Sequence, residues 1–222
     1  MDDAVVASVL GTQYVGFEER RGFASRLGLD AVCLHPRLSP AAGPGLPAAK
    51  EVEWPDLGLW DRESDRFVFA LMDGAFGWGS RLIGLENLLV APYRNALDLV
   101  KFVRQVEDLN VALIERAVAA GATGIVVADD FAYQRGPFFS PSLMRSLFFP
   151  SLARQAEVAH GAGVPIFLHA DGNLDLVLHD LVEAGLDGLQ AVESAAGMEL
   201  RSVKERFGQH LCLWGNLDPR FL

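Results

Sequence analysis

The sequence has few cysteines, no long apolar run and a shortage of basic residues, and each of these excludes a class of protein. Its two cysteines, Cys33 and Cys212, are too few for a disulfide framework; both lie in apolar runs and are predicted to be reduced and buried. No stretch approaches the roughly 20 apolar residues of a transmembrane helix. With 19 basic and 29 acidic residues the net charge is −10, which disfavours nucleic-acid partners because phosphate binding requires a basic surface.

Targeting signals are also missing from the sequence. The chain begins Met-Asp-Asp, without the basic region of a signal peptide. We therefore expect a cytoplasmic protein with neither a membrane nor nucleic acid as a partner. Hydrophobic residues make up 50% of the chain, which is enough for a sizeable core and argues against disorder. The length of 222 residues allows one large domain or two small ones.

Strand and helix patterns alternate along the chain. Short apolar runs that close in polar residues or glycine predict strands at residues 30–34, 66–72, 125–128, 186–192 and 211–214, and within the stretch VPIFLHADGN at 164–173. Helical spacing and end signals predict helices at residues 18–27, 95–120, 140–160 (with a kink at Pro150), 174–184 and 199–207. Residues 4–10 fit either a strand or a helix, and residues 36–58, which contain five prolines, are predicted to form a long loop.

Repeated helix-glycine-strand units predict a parallel sheet with crossover helices. Two architectures have such a sheet, a closed barrel and an open doubly wound sheet. Six consecutive predicted strands each end in a polar residue, and polar groups that converge at the carboxyl ends of strands are typical of a barrel. We therefore predict an α/β fold, a (β/α)8 TIM barrel that is incomplete. Six or seven strands are recognised, and the last strand is missing.

The polar strand ends are the candidate site. The central stretch ends in His169 and Asp171, which are two residues apart and so point to the same side of a strand. The catalytic candidates are Asp171, His169, Asp129 and Asp130. The substrate-binding candidates are Asp73, Glu193, Arg135, Asn216 and His35.

Several candidates also have a structural interpretation. His169 also fits a buried histidine bonded to a neighbouring strand, and Asp171 also fits the cap of the following helix. Of Asp129 and Asp130, one is expected to face the pocket while the other tethers the next loop. Arg135 fits either an anion site or an ion pair with Asp129.

Four motifs, in this order, resemble the uroporphyrinogen decarboxylase superfamily. They are ADDFAYQRGPFFSP, LHADGN, GLDGLQAVESAAGM and LWGNLDP. The resemblance extends from about Leu29 to Asp218 and implies a TIM barrel, in agreement with the strand pattern. Members of the superfamily are longer than this chain. The resemblance therefore implies a single barrel domain over residues 1–222 that is partial at its C-terminus.

The resemblance leaves two enzymatic branches open. The decarboxylases of haem synthesis bind a carboxylate-rich tetrapyrrole without a metal, through N-terminal arginines and a strand-end aspartate. That arginine motif is not recognisable here, and the corresponding strand ends in Leu34-His35-Pro36. The methylcobamide:coenzyme M methyltransferases hold zinc through a His-x-Cys motif and a distant cysteine. His169 matches the histidine, but Asp171 stands at the cysteine position.

We favour a corrinoid-dependent methyltransferase that moves a methyl group between a corrinoid and a small acceptor. Zinc, held by His169 and Asp171, is the expected metal, and a corrinoid is the co-substrate. The expected partners are a small-molecule substrate, a separate corrinoid protein and a second copy of the chain. The alternative is a metal-free decarboxylase that uses Asp171 and Asp129 for proton transfer. A third possibility is an inactive or binding-only member with a truncated barrel.

Overall fold

The computed structural model describes residues 3–40 and 42–218. Its strands, numbered in chain order, are β1 (Ala31–Leu34), β2 (Arg37–Leu38), β3 (Val52–Glu53), β4 (Phe67–Asp73), β5 (Gly124–Ala128), β6 (Ala132–Tyr133), β7 (Gly136–Pro137), β8 (Ile166–His169), β9 (Gly188–Ala191) and β10 (Cys212–Gly215). Its α-helices are α1 (Asp3–Leu10), α2 (Phe17–Arg26), α3 (Leu57–Glu63), α4 (Ala75–Ile83), α5 (Leu85–Arg94), α6 (Ala96–Ala119), α7 (Pro141–Leu147), α8 (Phe149–Gly161), α9 (Leu178–Glu183) and α10 (Leu200–Phe207).

Six parallel strands form the main sheet, in the order β1-β4-β5-β8-β9-β10. Each strand therefore lies beside the next sheet strand along the chain. A doubly wound sheet would reverse this order at a switch point, whereas a barrel does not. The short strands β2–β3 and β6–β7 form separate antiparallel hairpins.

The sheet curls, as a barrel wall does. Phe69 on β4 lies 5.5 Å, ring centre to ring centre, from Trp214 on β10. These strands are four positions apart in the sheet, and a flat sheet would separate them by about 19 Å. Phe69 also meets Phe167 of β8 at 5.1 Å. The prediction of an incomplete TIM barrel is confirmed: within the described residues the wall has six strands, with β1 and β10 at its edges.

Both faces of the sheet are apolar, as a parallel sheet covered on its outer side and closed on its inner side requires. The outward residues of β4, such as Val68 and Met72, belong to the main core under the helices. The inward residues Phe69, Val126 and Phe167 form a second, smaller cluster inside the curl. Because side chains alternate along each strand, the last inward residue of β8 is His169.

The long helix α6 follows from its sequence. Apolar residues recur at helical spacing, and Leu99, Val103, Val106 and Leu113 are buried against the sheet. The prediction for residues 95–120 is therefore confirmed to within one residue at each end. Ser140 caps α7 as predicted, its hydroxyl accepting from the backbone N–H of Leu143.

Three other local predictions were wrong in their bounds, and the choice left open between strand and helix for residues 4–10 is decided as a helix. The predicted helix over 140–160 is divided into α7 and α8 at Phe148, so that Pro150 lies in the first turn of α8, where its missing N–H has no cost. Residues 4–10 belong to helix α1, and the helix predicted from Leu174 begins only at Leu178. The predicted loop 36–58 contains the β2–β3 hairpin and the start of α3.

Helix α4 and the exposure of one cysteine were also not anticipated. The small and aromatic run after Asp73 forms α4, although three of its residues are glycines or serine and favour no helix. Cys212 is exposed rather than buried because β10 is an edge strand, and Cys33 is half-buried. Within the described part of the chain, no helix has the length and apolar character needed to cross a membrane.

Candidate functional site

The carboxyl ends of β5 and β8 bring Asp130, His169 and Asp171 together. One potential ligand atom from each of the three side chains lies within 4.8 Å of the others. The Nε2 atom of His169 is 3.5 Å from Oδ1 of Asp130. The backbone N–H of Asp171 donates to the same Oδ1 atom at 3.1 Å. Asp130 therefore links the ends of two neighbouring strands, and we refer to these three residues as the strand-end cluster.

Gln190 fixes the imidazole ring of His169. The two residues are direct partners in the parallel register of β8 and β9, and both point into the curl. The Oε1 atom of Gln190 is bonded to Nδ1 of His169. Sequence reasoning did not identify Gln190. The available signal was its position as the one polar side chain in the apolar run Gly188–Ala191.

This contact determines what His169 presents to the cluster. With the amide oxygen accepting from Nδ1–H, a neutral ring carries its lone pair on Nε2. Nε2 and the carboxylate of Asp130 then present lone pairs to each other across 3.5 Å. That arrangement favours either a proton on Nε2 or a cation between the two groups.

A tight turn positions Asp171. Its neighbour Gly172 has φ of +89°, and a Cβ there would lie 2.6 Å from backbone atoms of Ala132 and Tyr133 in the β6–β7 hairpin. The N–H of Gly172 donates to Oε2 of Glu193 at 2.8 Å. Glu193 therefore supports the turn that carries Asp171.

Burial is the main influence on Asp171. Burial raises the pKa of its carboxyl group; proximity to His169 lowers this pKa, and the nearby Asp130 and Glu193 raise it. An acidic group with a raised pKa beside an imidazole can bind a metal or transfer a proton. Asp171 therefore has the chemistry required by either enzymatic branch.

Asp129 lies away from the strand-end cluster. It is 3% exposed, and its Oδ1 accepts from the backbone N–H of Gly77, in the first turn of α4, at 2.8 Å. A Cβ at Gly74 would lie 2.2 Å from its carboxyl carbon, so only glycine fits there. Burial raises the pKa of Asp129 to about 7, against the lowering effect of the Gly77 and Phe76 amides. In this structure the group anchors the N-terminus of α4 to β5.

Because the pKa of Asp129 is raised, we predict that the free energy of unfolding falls as the pH rises. Its folded pKa of about 7 lies above the ordinary value of 3.8, so folding takes up a proton between these pH values. The stabilisation that arises from protonated Asp129 is fully present below about pH 4 and is lost by pH 7. The free energy of unfolding falls by up to about 4 kcal/mol over this range. Asp129→Asn keeps the oxygen acceptor and should flatten this part of the profile. Urea unfolding at several pH values measures it, with Asp108→Asn on the exposed face of α6 as the control.

The remaining predicted residues surround the cluster at different distances from it. Asp73 pairs with Arg81 at 2.6 Å, and Arg81 in turn lies over the ring of Trp78. The side chain of His35 is exposed; its partial desolvation lowers its pKa, while interaction with Asp73 raises this pKa and interaction with His169 lowers it. The structure thus places His35 and Asp73 on the side of the site formed by β1 and β4.

Arg135 and Asn216 have other surroundings. Arg135 lies exposed at the turn of the β6–β7 hairpin, and no ion pair with it is found in the described ranges. Asn216 donates through Nδ2 to the carbonyls of Val192 and Met198 at 2.7 and 2.9 Å. Its side chain therefore supports the loop after β9.

The strand-end cluster fits zinc in the number and kind of its ligands. Zinc binds imidazole nitrogen and carboxylate oxygen, and catalytic zinc sites commonly have three protein ligands and an open position. Thiolate ligands do not reach it within residues 3–40 and 42–218. Cys212 lies at the amino end of β10, at the opposite end of the sheet, and burial raises the pKa of Cys33 to about 11, which keeps it a thiol. The cluster therefore offers one nitrogen and two carboxylates.

If zinc occupies the cluster, removing the Gln190 contact is expected to weaken zinc binding by about ten- to a hundredfold, the usual cost of losing the hydrogen-bond partner that orients a histidine ligand. Gln190→Leu removes the acceptor while keeping the side-chain volume. Gln190→Glu retains an acceptor and is expected to restore most of the affinity. Calorimetric titration with zinc measures the effect, and Gln105→Leu on the surface of α6 is the control. Equal affinities for Gln190→Leu and wild type would contradict a role in positioning His169.

The comparisons with known proteins agree with this fold. A family model described as uroporphyrinogen decarboxylase (URO-D) matches residues 63–222, which is more than half of the chain. Among solved structures, the chain is similar to a methyltransferase from Methanosarcina mazei with a TM-score of 0.72 and 18% identity, over 98% of this chain and 75% of that chain. At this identity the likeness shows the fold alone. No curated protein matches the sequence.

Proposed function

The chain belongs to the uroporphyrinogen decarboxylase family, and from that premise we propose that it is a methyltransferase whose strand-end cluster holds zinc. The methyl group moves between a corrinoid and a small acceptor, and a separate corrinoid protein presents the corrinoid. Support for this branch comes from the strand-end cluster, and the fold, which a methyltransferase shares, is compatible with it.

One observation carries the proposal. Gln190 holds His169 so that Nε2 faces the carboxylates of Asp130 and Asp171. A histidine whose second nitrogen is fixed by a hydrogen bond, and whose first nitrogen faces two carboxylates, is the arrangement usual for a metal ligand. The same three residues without a cation would have two negative charges close to an imidazole lone pair.

The residues of the cluster have separate tasks in this proposal. Asp130, His169 and Asp171 bind the metal, and Glu193 keeps the Gly172 turn in place so that Asp171 stays in position. When bound, zinc supplies a Lewis acid that lowers the pKa of an acceptor thiol or hydroxyl group. In the transfer, the acceptor's sulfur or oxygen forms a bond to the methyl carbon, and the cobalt–carbon electron pair remains on the corrinoid.

The β6–β7 hairpin forms a wall beside the cluster. Tyr133 stacks on Phe138 at 5.1 Å, and Phe138 stacks on Phe76 at 5.5 Å. The backbone carbonyl of Tyr133 accepts from the N–H of Asn173, which ties the hairpin to the turn that carries Asp171. These rings provide an apolar surface beside the turn that carries Asp171.

A decarboxylase-like reaction is the second candidate, and the raised pKa of Asp171 favours it. A carboxyl group with a raised pKa retains its proton to a higher pH and can deliver it to a carbanion after loss of carbon dioxide. Against it, few cationic side chains lie near the site in the part of the chain that the structure describes: Arg81 is paired with Asp73, and Arg135 lies at the exposed end of its hairpin. A tetrapyrrole with many carboxylates requires more positive charge than this.

A paired assay tests the proposal. The purified chain is supplied with zinc and methylcobalamin together with a series of small thiols and alcohols, and the loss of the cobalt–carbon absorption is followed. In parallel, the metal-free chain receives uroporphyrinogen, and the carboxylate content of the product is determined. Zinc-dependent demethylation without decarboxylation is the expected result. Decarboxylation without zinc would establish the second candidate, and the absence of both reactions would leave only a binding role.

A further inference from the structure

Two residues at the end of β9 have backbone conformations that residues other than glycine rarely adopt. Ala191 has φ of +100° and Val192 has φ of +46°, both in the left-handed region. Val192 is β-branched, which makes this conformation especially unfavourable, and its side chain is buried. Strain of this kind persists only where the surrounding structure enforces it, and it is concentrated at functional sites. The strained pair therefore indicates a local conformation that neighbouring groups hold in place.

The strained pair lies between two residues that support the strand-end cluster. Gln190, immediately before it, is bonded to Nδ1 of His169. Glu193, immediately after it, accepts from the backbone N–H of Gly172 at 2.8 Å. In a regular strand, residues three apart point to opposite faces of the sheet. The left-handed residues between them turn the chain, so that both side chains reach the end of β8. We refer to residues 190–193 as the β9 turn.

Asn216, which follows β10, holds the β9 turn from the neighbouring strand. Its backbone N–H donates to the carbonyl of Ala191 at 2.8 Å. Its side-chain Nδ2 donates to the carbonyls of Val192 and Met198 at 2.7 and 2.9 Å. Val192 and Met198 lie at the two ends of the loop that carries Glu193. One asparagine therefore closes this loop and binds the carbonyl group of each strained residue.

The backbone around Asn216 suits this contact. Asn216 has φ of +66°, a left-handed value that asparagine tolerates better than most residues. The preceding Gly215 approaches β9 so closely that a Cβ there would lie 2.0 Å from the carbonyl oxygen of Ala191. Glycine at position 216 would also fit the backbone, but it has no side-chain amide. The Gly215-Asn216 pair thus combines a close backbone approach with two amide donations.

We propose that Asn216 is a positioning residue for the metal ligands and acts through the β9 turn. It keeps this turn in its left-handed conformation. Gln190 then reaches the imidazole ring of His169. Glu193 reaches the turn that carries Asp171. Zinc as the bound metal comes from the proposed function, on which this role rests, whereas the path from Asn216 to His169 is present in the metal-free chain.

Asn216→Gly tests the proposal, because glycine adopts the left-handed φ without strain and removes only the amide. Two NMR measurements are made on the metal-free full chain. The ¹⁵N signals of His169 report its tautomer, which the Gln190 bond fixes with the proton on Nδ1, and the variant should show a mixture of both tautomers. Solvent exchange of the Gly172 N–H, which Glu193 protects, should become at least about tenfold faster.

Asp56→Gly is the matched control. Asp56 is also left-handed, with φ of +64°, and its side chain also makes a contact that glycine cannot replace, an ion pair with Arg20 at 2.8 Å. That contact joins α2 to the start of α3 and does not involve the β9 turn. The tautomer of His169 and the exchange rate of the Gly172 N–H should therefore remain at wild-type values in Asp56→Gly.

A double variant tests whether strain connects Asn216 to the cluster. Adding Ala191→Gly to Asn216→Gly removes strain that the amide opposes, and exchange of the Gly172 N–H should return to within about threefold of the wild-type rate. An unchanged His169 tautomer and exchange rate in Asn216→Gly, equal changes in the control, or no recovery in the double variant would each overturn the role of Asn216.

Calorimetric titration with zinc separates this role from the proposed function. Asn216→Gly is expected to bind zinc about tenfold more weakly than the wild-type chain, as for other residues that orient metal ligands indirectly. A zinc affinity equal to that of the wild type would overturn the positioning role. A wild-type chain that binds no zinc would instead overturn the proposed function, and the two NMR measurements would still decide whether Asn216 positions His169.

Discussion

Replacing His169 with alanine is expected to lower kcat/KM for methyl transfer by at least about a hundredfold, the scale on which removal of one central polar group acts in an active site. The zinc affinity should fall by more than the ten- to hundredfold expected for the supporting residue Gln190. The physical reason is that His169 supplies the only nitrogen of the strand-end cluster, whose other two members are Asp130 and Asp171. Methylcobalamin turnover and calorimetric zinc titration measure the two effects.

His179→Ala provides the matched control for this experiment. His179 lies on α9, its side chain is 76% exposed, and it is near the carboxylate of Glu183. It therefore repeats the pairing of a histidine with a carboxylate without the second carboxylate or the Gln190 contact. The kcat/KM for methyl transfer and the zinc affinity should both remain at wild-type values in His179→Ala. Unchanged zinc affinity in His169→Ala would show that the strand-end cluster does not bind the metal.

Gly172→Ala is expected to destabilise the fold by roughly 3–5 kcal/mol, because it combines backbone strain with a clash that a side-chain rotation cannot relieve. The φ of +89° accounts for about 1–2 kcal/mol of this. The remainder arises because the new methyl group would lie 2.6 Å from backbone atoms of Ala132 and Tyr133. Relief requires the β6–β7 hairpin to move away from the turn that carries Asp171. Denaturant unfolding measures the loss of stability.

Gly163→Ala isolates the contribution of the clash. Gly163 has a similar φ of +79°, but a Cβ there would meet nothing within 4 Å. This variant should therefore lose only the strain contribution of about 1–2 kcal/mol. If the two variants lose equal stability, close packing of the Gly172 turn against the hairpin is not part of the native structure.

The order of the strands and the gathering of polar residues at their carboxyl ends were predictable, because both follow from local patterns. Apolar runs that end in Asp73, Asp130, His169 and Glu193 repeat along the chain, and parallel strands gather their carboxyl ends at one edge. Spacing alone does not distinguish the two members of an Asp129-Asp130 pair. The buried N-terminus of α4 turns Asp129 away from the cluster, and α4 itself was not anticipated, because its sequence is rich in glycine.

Gln190 illustrates a second limit of prediction from the sequence. Its role depends on which residue of β9 lies beside His169, and that register is determined by the packing of the whole sheet. The exposure of Cys212 has the same origin. An apolar run predicts burial, but an edge strand leaves part of its run exposed. Neither fact can be obtained from a single stretch of residues.

Family membership narrows the chemistry without choosing the branch. His169 corresponds to the zinc ligand of the methyltransferases, whereas Asp171 and Gly172 resemble the decarboxylase motif. The structure places both side chains in one cluster with Asp130, and the fixed orientation of His169 favours a metal there. A site with one nitrogen and two oxygen ligands differs from the thiolate site implied by the methyltransferase branch. The identity of the ligands is therefore the central question.

Cobalt(II) substitution tests the identity of the ligands most directly. Cobalt(II) replaces zinc in such sites, and its absorption spectrum distinguishes sulfur ligands from nitrogen and oxygen ligands. We predict that the chain binds cobalt with visible ligand-field bands and without sulfur-to-metal charge transfer, that His169→Ala abolishes these bands, and that replacement of Cys33 and Cys212 by serine leaves them unchanged. A charge-transfer band that disappears with either cysteine, or a spectrum that is unchanged in His169→Ala, would contradict a metal centre formed by Asp130, His169 and Asp171.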